Sequence, residues 1–407
     1  MSTPDRPARL DRLTLPGRAG GGLSAREADL ALIAKAPEGF LDTTHFDTVR
    51  FPPPDWAAEL MGEVMRDGAR AYSPYRGHAD VLEIVARNAA ALIGIDVDPR
   101  RNVILTAGTQ SALFAAMGAL APEGGEVALL SPEYLFDERM AAFVGAAVRH
   151  IPLDLAAETP DLAALEAAFK AGVKTFVFSH PNNPTGTVFS AETVAEIARL
   201  AVAHDVTIVA DELYCRLLHD GTPFHHIAAE PGMAERTITL LGPSKTESLS
   251  GFRLGVAIGP EALIARMENV LSITALRAPA YAQSLLTRWL GEDQDWLAAR
   301  IPELTALRAL TREKLATLDW LKVTTGQGTA YAWCDARALG LSGAELSQRL
   351  MTEAAVLVSP GYQFGPDTDG FFRVCYARDE AEWAAALDRM VTVLKAARAE
   401  TAEPAAG

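Results

Sequence analysis

Short apolar runs alternate with longer amphipathic segments along most of this chain. The apolar runs include residues 102–106, 126–130, Thr175–Ser179, 206–210, 237–240 and 255–258. They are apolar throughout rather than alternating with polar residues, which is typical of strands buried on both faces of a mainly parallel sheet. Alanine- and leucine-rich segments such as residues 110–121, 161–171 and Ala191–His204 predict helices between them. The pattern therefore predicts an α/β fold with a mostly parallel central sheet between helices.

The pattern changes on both sides of this central region. After about residue 285, long helices are followed by strand candidates at residues 321–324, Tyr331–Asp335, 356–359 and 372–376, which indicates a second, α+β domain. Residues 1–35 begin with Pro, Gly and Arg and predict a mostly irregular arm, and the proline run at residues 52–54 excludes regular helix. We predict an N-terminal arm (1–50) that packs with the small domain or a partner, a large domain (51–285) and a small C-terminal domain (286–407).

Composition and charge exclude several classes of protein. The 407 residues are 49% hydrophobic and 22% charged, as in ordinary soluble globular proteins. The chain carries 37 basic and 52 acidic side chains, a net charge of −15, and no basic run. Nucleic acid and anionic membranes are therefore not expected as partners. No apolar stretch reaches the ~20 residues of a membrane helix, and the first residues lack the apolar core of a signal peptide.

Cysteine and histidine positions complete these exclusions. Cys215, Cys334 and Cys375 lie far apart in sequence, so we expect buried free thiols in a reducing cytoplasm. His225 and His226 are adjacent to no cysteine or acidic cluster, so no metal site is expected there.

Polar motifs follow two of the predicted strands. Residues 106–111 (TAGTQS) come directly after a strand and open a helix, so their backbone N–H groups form an anion cradle or simply cap the helix. Residues 179–186 (SHPNNPTG) follow another apolar run. They either form an ordinary turn or place an Asn amide rigidly at a strand end, where it suits a planar polar ligand.

Two further motifs carry charge. Asp211 ends a run that should be buried, and a buried carboxylate needs a partner such as a pyridinium or another cation. Lys245 lies in a loop of small residues with Arg253 eight residues later, which indicates an anion pocket or a trap for a carbonyl group. The loop is not a P-loop, because Ser244 stands where that motif requires glycine before the lysine.

Taken in order, Asn183, Asp211, Tyr214, Lys245 and Arg253 resemble the class I/II aminotransferases, the fold-type I enzymes that use pyridoxal phosphate. The resemblance extends to the motifs YSPYRG at residues 72–77, SPEY at 131–134 and FRV at 372–374, and covers roughly residues 50 to 395. It implies a large cofactor-binding domain with a mostly parallel central sheet and a smaller α+β C-terminal domain.

The resemblance also implies a role for each matched residue. Lys245 would hold the cofactor as a Schiff base and, once released by substrate, carry a proton between the α-carbon and the cofactor. Asp211 would keep the pyridine nitrogen protonated. Asn183 and Tyr214 would hydrogen-bond the phenolic oxygen of the cofactor, and Tyr134 would stack on its ring.

Phosphate, substrate and subunit contacts are implied in the same way. The N–H groups of Gly108, Thr109 and Gln110 would hold the phosphate, together with Ser244 and Arg253. Arg373 would bind the substrate α-carboxylate bidentately; it lies on the other domain from Lys245, so substrate would draw the domains together. Tyr72 would reach the phosphate of a neighbouring subunit, which implies a homodimer with shared active sites.

Departures from the family concern the substrate side chain. Residues 43–50 (TTHFDTVR) replace the small-residue segment that lines the side-chain pocket in the family, so His45 or Asp47 either contacts substrate or lies in a solvated loop. Arg277 either pairs with an acidic substrate or forms an interface salt bridge. Gly242 stands where many relatives have a second hydroxyl for the phosphate.

The predicted function is transfer of an α-amino group between an amino acid and a 2-oxo acid. One alternative keeps the cofactor but makes the enzyme a lyase, decarboxylase or oxidase of an amino acid. Another is a non-catalytic effector-binding domain of a transcription regulator, which the absence of a basic helix in the arm disfavours.

Overall fold

The computed structural model describes residues 8–14, 23–46, 51–68, 70, 72–291 and 294–402. Its sheets contain strands from the arm, the central region and the C-terminal region. The strands are β1 (Leu41–Asp42), β2 (Val103–Ala107), β3 (Glu126–Ser131), β4 (Ala147–Asp154), β5 (Thr159–Pro160), β6 (Thr175–Ser179), β7 (Thr207–Asp211), β8 (Thr237–Leu241), β9 (Leu254–Ile258), β10 (Lys322–Thr324), β11 (Tyr331–Asp335), β12 (Val356–Leu357), β13 (Ser359–Pro360) and β14 (Phe371–Cys375). The predicted strands of the central region all form, and no strand end is shifted by more than one residue.

Helices connect most of these strands. They are α1 (Ala8–Asp11), α2 (Ala25–Ile33), α3 (Asp55–Asp67), α4 (Ala79–Ile93), α5 (Thr109–Leu120), α6 (Asp137–Phe143), α7 (Leu162–Lys170), α8 (Ala191–His204), α9 (Pro243–Thr246), α10 (Glu261–Ile273), α11 (Gln294–Leu315), α12 (Gly343–Ala354) and α13 (Glu380–Ala402). Short 3-10 turns lie at Ile227–Ala229, Ser250–Phe252, Ala282–Thr287, Arg337–Leu339 and Gly361–Gln363. In the part of the chain that the structure describes, no helix has the length and apolar character required to cross a bilayer.

The central sheet has the strand order β2-β9-β8-β7-β6-β3-β4-β5. Strands β8, β7, β6, β3 and β4 pair in parallel, whereas β9 runs antiparallel to both of its neighbours and β5 runs antiparallel to β4. The carboxyl ends of β2, β6, β7 and β8 therefore share one edge of the sheet with the beginning of β9. Open α/β sheets bind ligands at such an edge, and the predicted mostly parallel α/β fold is confirmed.

Helices cover both faces of this sheet because successive strand residues point to opposite sides. On one face, α5 and α10 pack against residues such as Ile104, Leu129 and Val209. On the other face, α4 packs near Leu105, and α7 and α8 pack against Phe176. Strand β4 was missed because its sequence AVRHIPLD contains the polar residues Arg149 and His150, so it is not an uninterrupted apolar run.

A second sheet, with the antiparallel order β10-β11-β14-β13, packs with α11, α12 and α13. The prediction of a single strand at residues 356–359 was wrong. The chain changes partner at Val358, so that β12 pairs in parallel with β1 of the arm and β13 pairs with β14.

The arm contains more regular structure than predicted. Helix α2 begins after Ser24, whose hydroxyl accepts from the Glu27 N–H while the Glu27 carboxylate accepts from the Ser24 N–H. This reciprocal capping box satisfies two donors at the start of the helix. The prediction of a mostly irregular arm was therefore wrong for residues 24–33.

Candidate active site

A cavity of about 320 Å³ lies at the carboxyl edge of the central sheet, where residues of the arm and of the second sheet also meet. Nine predicted site residues line it: His45, Thr109, Gln110, Tyr134, Asn183, Asp211, Tyr214, Lys245 and Arg373. Thr44 and Ser179, which belong to two of the motifs singled out from the sequence, also line the cavity. The lining further includes residues that were not predicted, namely Asp29, Tyr331, Ser359 and Gln363. The predicted residues therefore come together in one cavity.

Asp211 is the last residue of β7 and its carboxylate faces this cavity. The Leu213 N–H donates to Oδ1 at 3.2 Å, and among the described residues no cationic side chain lies within 4 Å of the carboxylate. Burial raises the pKa of Asp211 to about 6, because a desolvated carboxylate resists ionisation. The site therefore suits a planar cation such as a protonated pyridine ring. The adjacent Glu212 lies elsewhere, with Oε2 2.5 Å from His226 Nδ1.

The start of α5 forms a cradle for an anion. Gly108 precedes the helix with φ of 87°, and a Cβ at this position would collide with the Arg253 guanidinium. A Cβ at Gly255 would lie 2.5 Å from the Thr109 backbone nitrogen. These two glycines thus allow Arg253 and β9 to lie directly against the helix N-terminus, where N–H groups and the helix dipole favour anions.

Two hydroxyls of this cradle fit a phosphate. Thr109 Oγ1 is buried and has no hydrogen-bond partner among the described residues, although a buried hydroxyl normally has one. Ser244 is also buried, and its hydroxyl has only a long contact of 3.5 Å with the Leu254 carbonyl oxygen. These two hydroxyls, together with the N–H groups at the start of α5, could donate to a phosphate.

Lys245 lies in α9, directly after β8, and its Nζ donates to the Phe46 carbonyl oxygen of the arm at 2.6 Å. The loop that carries it is fixed by Glu247, a fully buried carboxylate that accepts from Arg216 and Thr246. Sequence analysis did not identify this ion pair, because Arg216 and Glu247 come from separate segments.

Arg373 joins the arm, the central sheet and the second sheet. From β14, its Nη1 donates to Asn183 Oδ1 at 2.6 Å, and its Nη2 donates to the Thr44 carbonyl oxygen at 2.6 Å and to Ser359 Oγ at 3.1 Å. Its guanidinium lies 4.1 Å from the Tyr331 ring centroid. The buried Nε has no partner among the described residues, so the group can still receive a carboxylate.

Tyr214 and Tyr331 form a hydroxyl pair between the two sheets. Their oxygens are 2.9 Å apart and both rings are buried. Burial raises the pKa of both phenols, so both remain protonated and able to donate. Sequence analysis placed Tyr331 in an apolar strand, where an aromatic residue gives no sign that its hydroxyl reaches a distant tyrosine.

Tyr134 is held on the other side of the cavity. Its hydroxyl donates to Gln110 Oε1 at 2.8 Å, and its backbone N–H donates to the buried carboxylate of Glu133 at 2.8 Å. Glu133 also accepts from the Ser179 hydroxyl. These bonds fix a tyrosine ring against the cavity.

The remaining candidates lie at the margin of the site or outside it. The His45 side chain is 68% exposed, with Nδ1 2.7 Å from Thr44 Oγ1, and Asp47 lies outside the described residues. Tyr72 is 80% exposed and is not part of the cavity lining. The Arg277 guanidinium lies 4.8 Å from its ring centroid.

Comparisons with known proteins agree with this site. The sequence model of the family Aminotransferase class I and II matches residues 43–390. Aromatic-amino-acid aminotransferase 2 of Thermococcus litoralis is 30% identical over 348 residues, which cover 85% of this chain and 89% of that protein. The arginine–pyruvate transaminase AruH of Pseudomonas aeruginosa is 29% identical, with 88% and 91% covered.

Solved structures agree as well. The crystal structure of an aspartate aminotransferase from Rhodobacter sphaeroides has a TM-score of 0.85 and 38% identity, and the match covers 89% of this chain and 95% of that one. From these findings, the chain belongs to the class I and II aminotransferases, which use pyridoxal phosphate to move an amino group between an amino acid and a 2-oxo acid.

Proposed function

We propose that the cavity binds pyridoxal phosphate and, beside it, the amino acid or 2-oxo acid. The observation that carries this proposal is the convergence of Lys245, Asp211 and Arg373 on one cavity, with the cradle at Gly108 and Arg253 next to Thr109. When bound, the cofactor supplies an electron sink for the substrate α-carbon. The protein provides binding, orientation and a group that moves the proton.

Each part of the cofactor would meet a complementary group. The N–H groups of Gly108, Thr109 and Gln110 would hold the phosphate, with Ser244 and Arg253. Asp211 would pair with the pyridine nitrogen and Tyr134 would cover the ring, while Asn183 and Tyr214 would contact the phenolic oxygen. The unpartnered Thr109 hydroxyl, and the Asp211 carboxylate whose pKa desolvation raises to about 6, support this arrangement.

Lys245 would act as the covalent anchor and as the proton carrier at the substrate α-carbon. Arg373 would orient the α-carboxylate, because a guanidinium fork binds a carboxylate bidentately. The small domain (286–407) would close on the large domain (51–285) when substrate binds, and the N-terminal arm (1–50) would pack with the small domain or a partner. The hydrogen bond from Arg373 to Asn183 joins the two proposed domains at the site.

We further propose that the enzyme is a homodimer in which Tyr72 reaches the phosphate of the other subunit. Tyr72 and Tyr75 are 80% and 52% exposed, and both rings lie against the Arg277 guanidinium. Large exposed apolar side chains that cluster mark interaction surfaces. A monomer that retains a saturated cofactor site, as seen by sedimentation, would contradict this. The buried free thiols at Cys215, Cys334 and Cys375 support a reducing, cytoplasmic location.

The covalent anchor is tested by reducing the holoenzyme with borohydride and mapping its peptides by mass spectrometry. The account predicts one pyridoxyl adduct, on the peptide that contains Lys245. An adduct on another lysine would remove the basis of the proposed site.

Changing Tyr331 to phenylalanine should raise the midpoint of the pH titration of the cofactor absorbance by about 0.5 to 1 pH unit. The Tyr331 hydroxyl, 2.9 Å from that of Tyr214, strengthens Tyr214 as a donor to the phenolic oxygen, because hydrogen bonds in a chain polarise one another. The pH titration of the cofactor absorbance measures the shift. The aromatic ring beside Arg373 remains in this variant, so KM for the amino acid should change less than about twofold. An unchanged titration midpoint would refute the role of the Tyr331 hydroxyl.

Changing Asp211 to asparagine should stabilise the cofactor-free protein by about 3 kcal/mol at pH 7.5 and by only about 0.5 kcal/mol at pH 4. The pKa of this carboxyl is about 6 in the folded protein and 3.8 ordinarily. The folded state therefore binds the extra proton, and the wild type loses stability as pH rises from about 4 to about 6. Urea unfolding at both pH values measures the difference, and equal effects at both would contradict the prediction.

A further inference from the structure

We propose that Asp29 selects amino acids whose side chain ends in a cation, such as an ammonium or guanidinium group. The proposal rests on the proposed function, since it concerns the substrate side chain in the same cavity. Asp29 lies on α2 of the arm and lines the cavity together with Lys245 and Arg373.

The other charged groups of the described lining already have proposed roles, whereas Asp29 has none. Of the charged or ionisable Asp, Lys, Arg and His residues in that lining, Lys245, Asp211 and Arg373 are taken up by the covalent link, the pyridine nitrogen and the α-carboxylate. Asp29 and His45 remain for the rest of the substrate. Asp29 is an acid, and the side chain of His45 is mostly exposed. The part of the cavity next to Asp29 therefore favours a positive group.

The Asp29 carboxylate is held in place but not neutralised. Gln363, which is 3% exposed, donates from Nε2 to Asp29 Oδ1 at 2.8 Å. In the described part of the chain, no basic side chain forms an ion pair with Asp29 within 4 Å. Burial raises the pKa of this carboxyl, which shows that it has lost water without gaining an equivalent partner. An incoming cation would supply that partner.

Neighbouring charges do not cancel this preference. Arg139 keeps its positive charge and acts on Asp29 from a distance, but it forms no ion pair with Asp29 within 4 Å, and its Nη1 donates instead to the carbonyl oxygens of Leu135 and Gln363. Asp42 adds a second negative group near His45, 3.5 Å from its ring nitrogen.

An acidic substrate would need a further Lys or Arg, and the described lining of this chain contains none besides Lys245 and Arg373. Arg277, the residue considered for that task, is held away from the cavity by the Ser73 carbonyl oxygen at 2.7 Å. An arginine supplied by a second copy is the opposing hypothesis, and it predicts a preference for dicarboxylic amino acids.

The test compares the holoenzyme with its Asp29→Asn variant on amino donors of matched length. Arginine and lysine carry a terminal cation, glutamine and norleucine are neutral, and glutamate is acidic. For the wild type we expect kcat/KM to be highest with the basic donors. In Asp29→Asn, kcat/KM for basic donors should fall about 30- to 100-fold, mainly through KM, while values for neutral donors change less than about threefold. Glu38→Gln removes a charge from an exposed site outside the cavity and should leave every value unchanged.

The possible results separate this proposal from the proposed function. A wild-type preference for glutamate, or an equal loss on all donors in Asp29→Asn, would overturn the role of Asp29 while leaving aminotransfer intact. Absence of reaction with every donor, in a protein whose cofactor is bound, would instead count against the proposed function.

Discussion

Replacing Lys245 with alanine is expected to lower the transamination rate by at least about 10³-fold. The side chain is proposed both to hold the cofactor covalently and to move the proton at the substrate α-carbon, and the described cavity lining contains no second lysine. The absorbance band of the imine should disappear as well. Rate and spectrum can be measured on the same sample after cofactor is added in excess.

Lys245→Arg provides the matched control for charge. Arginine keeps a positive group near the Phe46 carbonyl oxygen, which Lys245 Nζ contacts at 2.6 Å, but it cannot form the imine. We expect the arginine variant to be as inactive as the alanine variant. Activity above about 10% of wild type in either one would show that another residue performs this step.

Replacing Arg373 with alanine is expected to lower kcat/KM by about 100-fold or more, chiefly through KM. This guanidinium is 3% exposed and fixed by Asn183, Thr44 and Ser359, so truncation removes an oriented charge from a buried site. Arg373→Lys should recover only part of the loss, since an ammonium cannot bind a carboxylate bidentately.

A substrate lacking the α-carboxylate separates binding from misfolding. The wild type should strongly prefer an amino acid over the corresponding amine, which lacks the carboxylate. The Arg373→Ala variant should lose most of that preference. Arg349→Ala serves as a control, because this residue pairs with Glu353 and Glu400 on the surface and exposed pairs contribute little. If Arg373→Ala retained the wild-type preference, the α-carboxylate would bind elsewhere.

The fold and the centre of the site could be predicted because their signals are local in sequence. Each central strand that was predicted is a largely continuous apolar run, and the polar residues that follow β6 and end β7 lie at the carboxyl edge of the sheet. Asp211 at the end of β7 and Asn183 after β6 are examples. A parallel sheet brings such positions together whatever the connecting helices contain.

The outer part of the site depends on contacts between distant segments. The Thr44 carbonyl oxygen meets Arg373, and Gln363 meets Asp29, across more than three hundred residues in each case. Nothing local in the sequence around Asp29 indicates that Gln363 is its partner. In the same way, nothing around Tyr331 indicates its contact with Tyr214. The capping box at Ser24 was visible as a motif, and it would have predicted α2 and thereby placed Asp29 on a helix.

The most direct test of the account mixes purified holoenzyme with a single amino donor and no 2-oxo acid acceptor. The account predicts that one equivalent of 2-oxo acid forms per active site, that the cofactor absorbance changes to that of its aminated form, and that the reaction then stops. Adding a 2-oxo acid acceptor should restore the original absorbance. Continued product formation without an acceptor, or release of carbon dioxide or ammonia, would contradict aminotransfer at this site.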